Sequence, residues 1–88
     1  MARYYFHIDN GSDISDDVGT ELQTLAAAKC EAVRYAGQLI CDAAGEFWDA
    51  AQWSMTVADK TGLTLFTLEF AGTESPAIQA QPRMGTSR

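Results

Sequence analysis

LAAAKCEAVRYAGQLICDAA, residues 25–44, is the one segment of the chain long and periodic enough to demand a helix. On a wheel of about 100° per residue, Leu25, Ala28, Ala32, Tyr35, Ala36, Leu39, Ile40 and Ala43 share one arc, with Val33 at its margin. Glu31, Arg34 and Gln38 lie opposite, and Lys29 sits at the border, where its stem can follow the apolar stripe while its ammonium reaches water. Thr24 is placed to cap the first turn, although Ala27 rules out a capping box. At the other end Gly45 is expected to stop the helix in a left-handed conformation, in preference to a continuation to Ala50. The alanines let a sheet approach closely but bury little each, so Leu25, Tyr35, Leu39 and Ile40 are the expected anchors.

Working outward, residues 2–8 alternate, with Tyr4, Phe6 and Ile8 on one face and Arg3, Tyr5 and His7 on the other, which predicts a strand. Asn10-Gly11 then suggests a reversal, and a short second strand over 14–17 pairs back antiparallel. Residues 20–23 lead into the helix with Leu22 as a core contact. Beyond the helix, Trp53, Met55 and Val57 alternate with Ser54, Thr56 and Ala58, and Asp59-Lys60-Thr61-Gly62 supplies a turn with glycine at a positive-φ position. In the fourth strand, residues 63–70, Phe66, Leu68 and Phe70 share a face while Leu63 and Leu65 fall on the other. The order is ββαββ, and the expected class is α+β: a small antiparallel sheet with one long helix across one face. Residues 1–71 form the domain. From Gly72, GTESPAIQAQPRMGTSR has two prolines, no period and few large apolar side chains, which predicts a disordered tail over 72–88.

Arg3-Tyr4-Tyr5-Phe6-His7, then Asp16-Asp17-Val18-Gly19-Thr20-Glu21-Leu22, then the alanine-rich helix with Ala32 and the Val57-x-Asp59-x-x-Gly62 hairpin resemble the short, mostly alphaproteobacterial family known as domain of unknown function 6894. The resemblance runs from Arg3 to about Phe70 in the family's order and spacing. It implies no activity, cofactor or catalytic residue. Gly45 to Gln52 departs from the family in being more aromatic where helix gives way to strand.

Composition narrows the function. The chain has 88 residues, a formal charge of −6 and a pI near 4.4, with its six basic residues scattered. Phosphate binding depends on clustered Lys and Arg, so neither nucleic acid nor an anionic membrane is an expected partner. MARYYF lacks a charged region followed by an apolar core, and the apolar runs fall well short of the roughly 20 residues that span a bilayer. Cys30 and Cys41 are about 16 Å apart along the helix, beyond disulfide reach, and read as free thiols in a reducing cytoplasm.

Asp9, Asp13, Asp16, Asp17 and Glu21 invite a cation. A calcium loop needs Gly at its sixth position and Glu at its twelfth, yet starting at Asp9 supplies Ile14 and Thr20, and starting at Asp13 supplies Val18 and Thr24. Turn chemistry is the reading adopted. His7 is the only histidine, and alternation sets it on the sheet face away from the helix, a layer from both cysteines, so no nucleophile–base pair or zinc set assembles. No glycine-rich phosphate loop follows a strand. No catalytic, cofactor or metal site is expected.

The outer sheet face is the more informative surface. Tyr5, His7, Thr56, Leu63 and Leu65 are its candidate contact residues, beside Ser54 and Ala58, and they carry more apolar area than scattered exposure requires. The expected function is a non-enzymatic cytoplasmic domain working by protein contact, as a homodimer or with a small protein partner. An antitoxin-like domain bound to a basic protein is the alternative, since an acidic surface suits one.

Overall fold

The computed structural model describes residues 1–80. Its order is β1 (Ala2–Asp9), β2 (Asp13–Ile14), β3 (Thr20–Leu22), α1 (Leu25–Asp42), α2 (Ala44–Ala50), β4 (Gln52–Ala58), β5 (Thr64–Ala71) and α3 (Pro76–Ala80). This is an α+β architecture with strands, then helix, then strands, as the periodicities predict. Among the described residues the antiparallel sheet runs β2-β1-β4-β5, with β3 also on β1. β2 and β3 share one edge of β1, pairing Ile8 with Ile14 at one end and Tyr4 with Thr20 at the other.

Alternation builds the core. Tyr4, Phe6 and Ile8 from β1 and Trp53, Met55 and Val57 from β4 are buried on one face, and Ala28, Ala32 and Ala36 of α1 are fully buried against them. Methyl side chains every fourth residue let the helix axis come close enough to exclude water, and fully burying Met55 and Val57 stabilises the fold by about 1.5–3 kcal/mol each. Leu39 and Ile40 pack against this core, and Tyr35 meets Phe6 edge-to-face at 6.3 Å, so these expected anchors hold. Leu25 does not: it lies in the first turn, ahead of Ala28, and is 46% exposed. Thr24 caps as expected, its hydroxyl accepting from Ala27 N at 3.0 Å.

Several expectations need correction. Gly45 does not stop α1. The break falls at Ala43 (φ −125°, ψ 44°), after which the chain resumes as α2 and ends at Ala51, the residue that is left-handed with φ 58°. Ala43 still donates to Leu39 O and still accepts from Phe47 N, so the ladder bends without coming apart, and the bend turns Phe47 back onto the core. β2 is shorter than 14–17, and residues 20–22 form a strand where only a lead-in was expected. Of the segment from residue 72 expected to be disordered, residues 76–80 form the short helix α3, and 81–88 lie outside the described residues.

The β4–β5 hairpin closes as predicted. Gly62 has φ +91°, and its N–H donates to Asp59 O at 3.0 Å. Asp59 Oδ1 accepts from Thr61 Oγ1 at 2.6 Å, Thr61 N at 2.8 Å and Leu63 N at 3.1 Å. Led by the Thr61 hydroxyl bond, and against some desolvation, these bonds hold the Asp59 carboxyl below its ordinary range.

Candidate functional site

Tyr5, His7 and Thr56 do share the outer sheet face. His7 lies directly across from Thr56, and Tyr5 across from Ala58, which is only 3% exposed. Their surroundings differ from the bare surface expected, because the loop from Asp16 to Gly19 is clasped onto this side of β1.

Asp16 organises the clasp. Its Oδ2 accepts from Phe6 N at 3.1 Å, and its Oδ1 accepts from Val18 N and Gly19 N, each at 3.0 Å. The Asp16 amide in turn donates to His7 Nδ1 at 3.1 Å. Burial alone would raise the Asp16 pKa, but the bonds from Gly19, Phe6 and Val18, with His7 close by, outweigh it and leave the carboxyl below its ordinary value. Arg3 completes the hold: its guanidinium donates to Val18 O at 2.8 Å and Gly19 O at 3.3 Å, and it pairs with Glu21 at 3.3 Å. Gly19 has φ +74° and lies so close that a Cβ there would stand 2.8 Å from Arg3 Cγ and 2.9 Å from the Tyr5 ring. Left-handed backbone and lack of space both require glycine.

The side chains of β1 that point outward, Arg3, Tyr5 and His7, thus hold the loop. His7 uses Nδ1 as an acceptor for backbone, a structural role. Residues 3–7 and 16–21 thus meet one another here, far apart in sequence but joined by the clasp. Cys30 and Cys41 are exposed on α1, across the sheet from His7, and among the described residues no three His, Cys, Asp or Glu side chains group to hold a metal ion.

Leu63 and Leu65 are exposed at 62% and 37%, and the alternation that would set both beside Tyr5, His7 and Thr56 is interrupted between Leu63 and Phe66. The ladder shifts register between Val57 and Ala58: Val57 pairs with Phe66 while Ala58 pairs with Thr64, so Leu65 is an extra residue. Residues directly opposite share a face, so Thr64 takes the outer position beside Ala58, and Leu63 falls on the helix side. Both leucines remain an exposed apolar pair at the start of β5.

An apolar concavity lies beside the bend of the helix. Where α1 bends into α2, Ile8, Ile14, Leu39, Ile40, Phe47 and Trp53 line an open, mainly apolar cleft of about 260 Å³, with Glu46, Asn10 and Gln52 also in its wall. Its only foreshadowing in the sequence was the aromatic run after Gly45. It is smaller than the roughly 300–1,000 Å³ typical of ligand pockets.

A family model described as Domain of unknown function (DUF6894) matches residues 3–71. No curated protein and no solved structure matches the chain. Among the described residues, no helix is long and apolar enough to cross a membrane.

Proposed function

The chain belongs to the family described as domain of unknown function (DUF6894), and from that premise we propose that it is a non-enzymatic, cytoplasmic protein-contact domain that associates with itself or with a small protein partner through the β5 side of the sheet. The observation that carries this reading is the apolar pair Leu63 and Leu65, exposed together at the bulged start of β5. Large aliphatic side chains left in water lower the free energy of association when a partner covers them. His7, the single histidine of the sequence, already uses Nδ1 to hold the Asp16 backbone amide, which favours contact over chemistry.

The test is sedimentation of the wild type beside the Leu63→Lys, Leu65→Lys double variant. A concentration-dependent mass above the monomer that the double variant lacks is the expected result. Identical sedimentation of the two proteins would remove this surface from self-association.

The antitoxin-like reading has its own support in the exposed carboxylates Asp9, Asp13, Asp17 and Glu21, which ring the β1–β2 turn and the clasp. It expects a basic protein partner whose affinity falls steeply with added salt. A partner bound with no salt dependence would sink it.

A further inference from the structure

β5 is unfinished in two respects. Ala28, Ala32 and Ala36 lie over β1 and β4, where Phe6, Met55 and Val57 are buried, while Phe66, Leu68 and Phe70 of β5 are only partly covered. Among the described residues the backbone edge is open as well. Gly72 N donates to Ala51 O at 3.1 Å, in register with the pairs Trp53–Phe70, Met55–Leu68 and Val57–Phe66. Bonding in an antiparallel ladder alternates, so residues 66, 68 and 70 turn toward β4, and Thr67, Glu69 and Ala71 turn their N–H and C=O groups outward. The edge carries neither proline nor lysine to blunt it, and Glu69 is its one charge.

We propose that β5 pairs antiparallel with β5 of a second copy of this chain, about a two-fold axis at Leu68, joining the two sheets into one. The side chains select this register. Centring on Glu69 would set two carboxylates face to face, and centring on Thr67 would oppose Phe66 to Leu68. Centring on Leu68 sets Phe66 against Phe70 twice, brings the two Leu68 side chains together, and places each Glu69 carboxylate beside a Thr67 hydroxyl able to donate to it. The ends of the strand agree. Leu63, 62% exposed and turned by the bulge to the helix side, stands at the start of β5. Trp48, 48% exposed, lies on the helix side over Gly72 at its end. Antiparallel pairing brings Leu63 of each copy to Trp48 of the other.

Strands about 27 Å long, with these side chains, bury on the order of 1,000 Å² in all, about the size at which an interface becomes specific. The opposite edge of each sheet is already closed by β2, the clasp and β3, so the assembly ends at two copies and does not grow into a fibre.

The proposal rests on the contact-domain reading and names its partner. Thr67→Pro deletes an outward N–H and none that β4 uses, a substitution an edge strand tolerates. Two bonds are lost per dimer at roughly tenfold each, so the dissociation constant is expected to rise about 100-fold in sedimentation. In the wild type, the Thr67 and Glu69 amides are expected to exchange at least about tenfold more slowly at dimeric than at monomeric concentration, a readout that stands even if the proline variant fails to fold. Trp48 emission is expected to shift to the blue on association. Dimerisation that survives Thr67→Pro, or amides indifferent to concentration, overturns edge pairing. If the Leu63→Lys, Leu65→Lys double variant still dissociates in that case, the contact reading stands without it. A wild type that is monomeric at every concentration overturns edge pairing and leaves contact only with a foreign protein.

Discussion

Along β1 the outer edge is occupied from end to end: β2 pairs at Ile8 and Asp9, β3 pairs from Ala2 to Tyr4, and in the gap between them the Asp16 carboxylate receives the Phe6 N–H. At the other side of the sheet β5 runs from Thr64 to Ala71 with no strand beyond it among the described residues. Both edges present the same backbone groups, and the difference lies in what the nearby chain supplies. An unpaired buried amide costs about 1–3 kcal/mol, so the β1 edge, whose Phe6 is 4% exposed, needs an acceptor. The β5 edge faces water, which satisfies it until another strand arrives.

The sharpest way to break this contrast is to remove the acceptor. Asp16→Ala leaves the Phe6, Val18 and Gly19 amides without their partner and is expected to cost about 2–3 kcal/mol in urea unfolding, with faster amide exchange at Phe6. Gly19→Ala attacks the same clasp through backbone and space. The left-handed conformation and the close approach to Arg3 and Tyr5 together are expected to cost about 2 kcal/mol, read as a lower Tm.

The Asp16 pKa is lower in the folded protein than in the unfolded chain, so its contribution is complete above the ordinary carboxylate value of about 4 and is lost as pH falls through the folded value. Asp16→Asn keeps one acceptor oxygen and should cost about 1 kcal/mol at neutral pH, with a flatter loss of stability on acidification below pH 4. A wild type and variant with parallel acid profiles would show that Asp16 does not titrate as the clasp requires. At the open edge, Thr67→Val, on an exposed position, should change monomer stability by no more than about 0.5 kcal/mol; a larger loss would mean that the edge is already engaged within one chain.

What the sequence made legible follows the same division. Patterns with a fixed period carried the helix, the inward faces of β1 and β4, and the β4–β5 turn, because each is local. The clasp was not legible: Asp16 reads as another turn residue until Phe6 is known to lie beside it, and Tyr5 and His7 look free until Gly19 is seen against β1. The bulge defeated alternation at Leu63, since a period-two reading assumes an uninterrupted ladder. Gly45 misled for a related reason. Glycine signals a permitted stop, whereas the chain bends at Ala43 and Phe47 packs against the core, a tertiary contact that helical periodicity does not record.

The buckle made by Asp16 also divides the polypeptide into parts with different tolerances for change in length. Because the chain is paired again at β2 and anchored by Asp16 ahead of β3, whatever lies between Asp9 and Asp13 need only leave β1 and return to it, and each doubling of such a span costs only about 0.6 kcal/mol. Insertions at Gly11, where nothing crowds the backbone, would therefore remodel one corner of the molecule and leave its frame in place, whereas a single residue added between Asp16 and Gly19 would unfasten it.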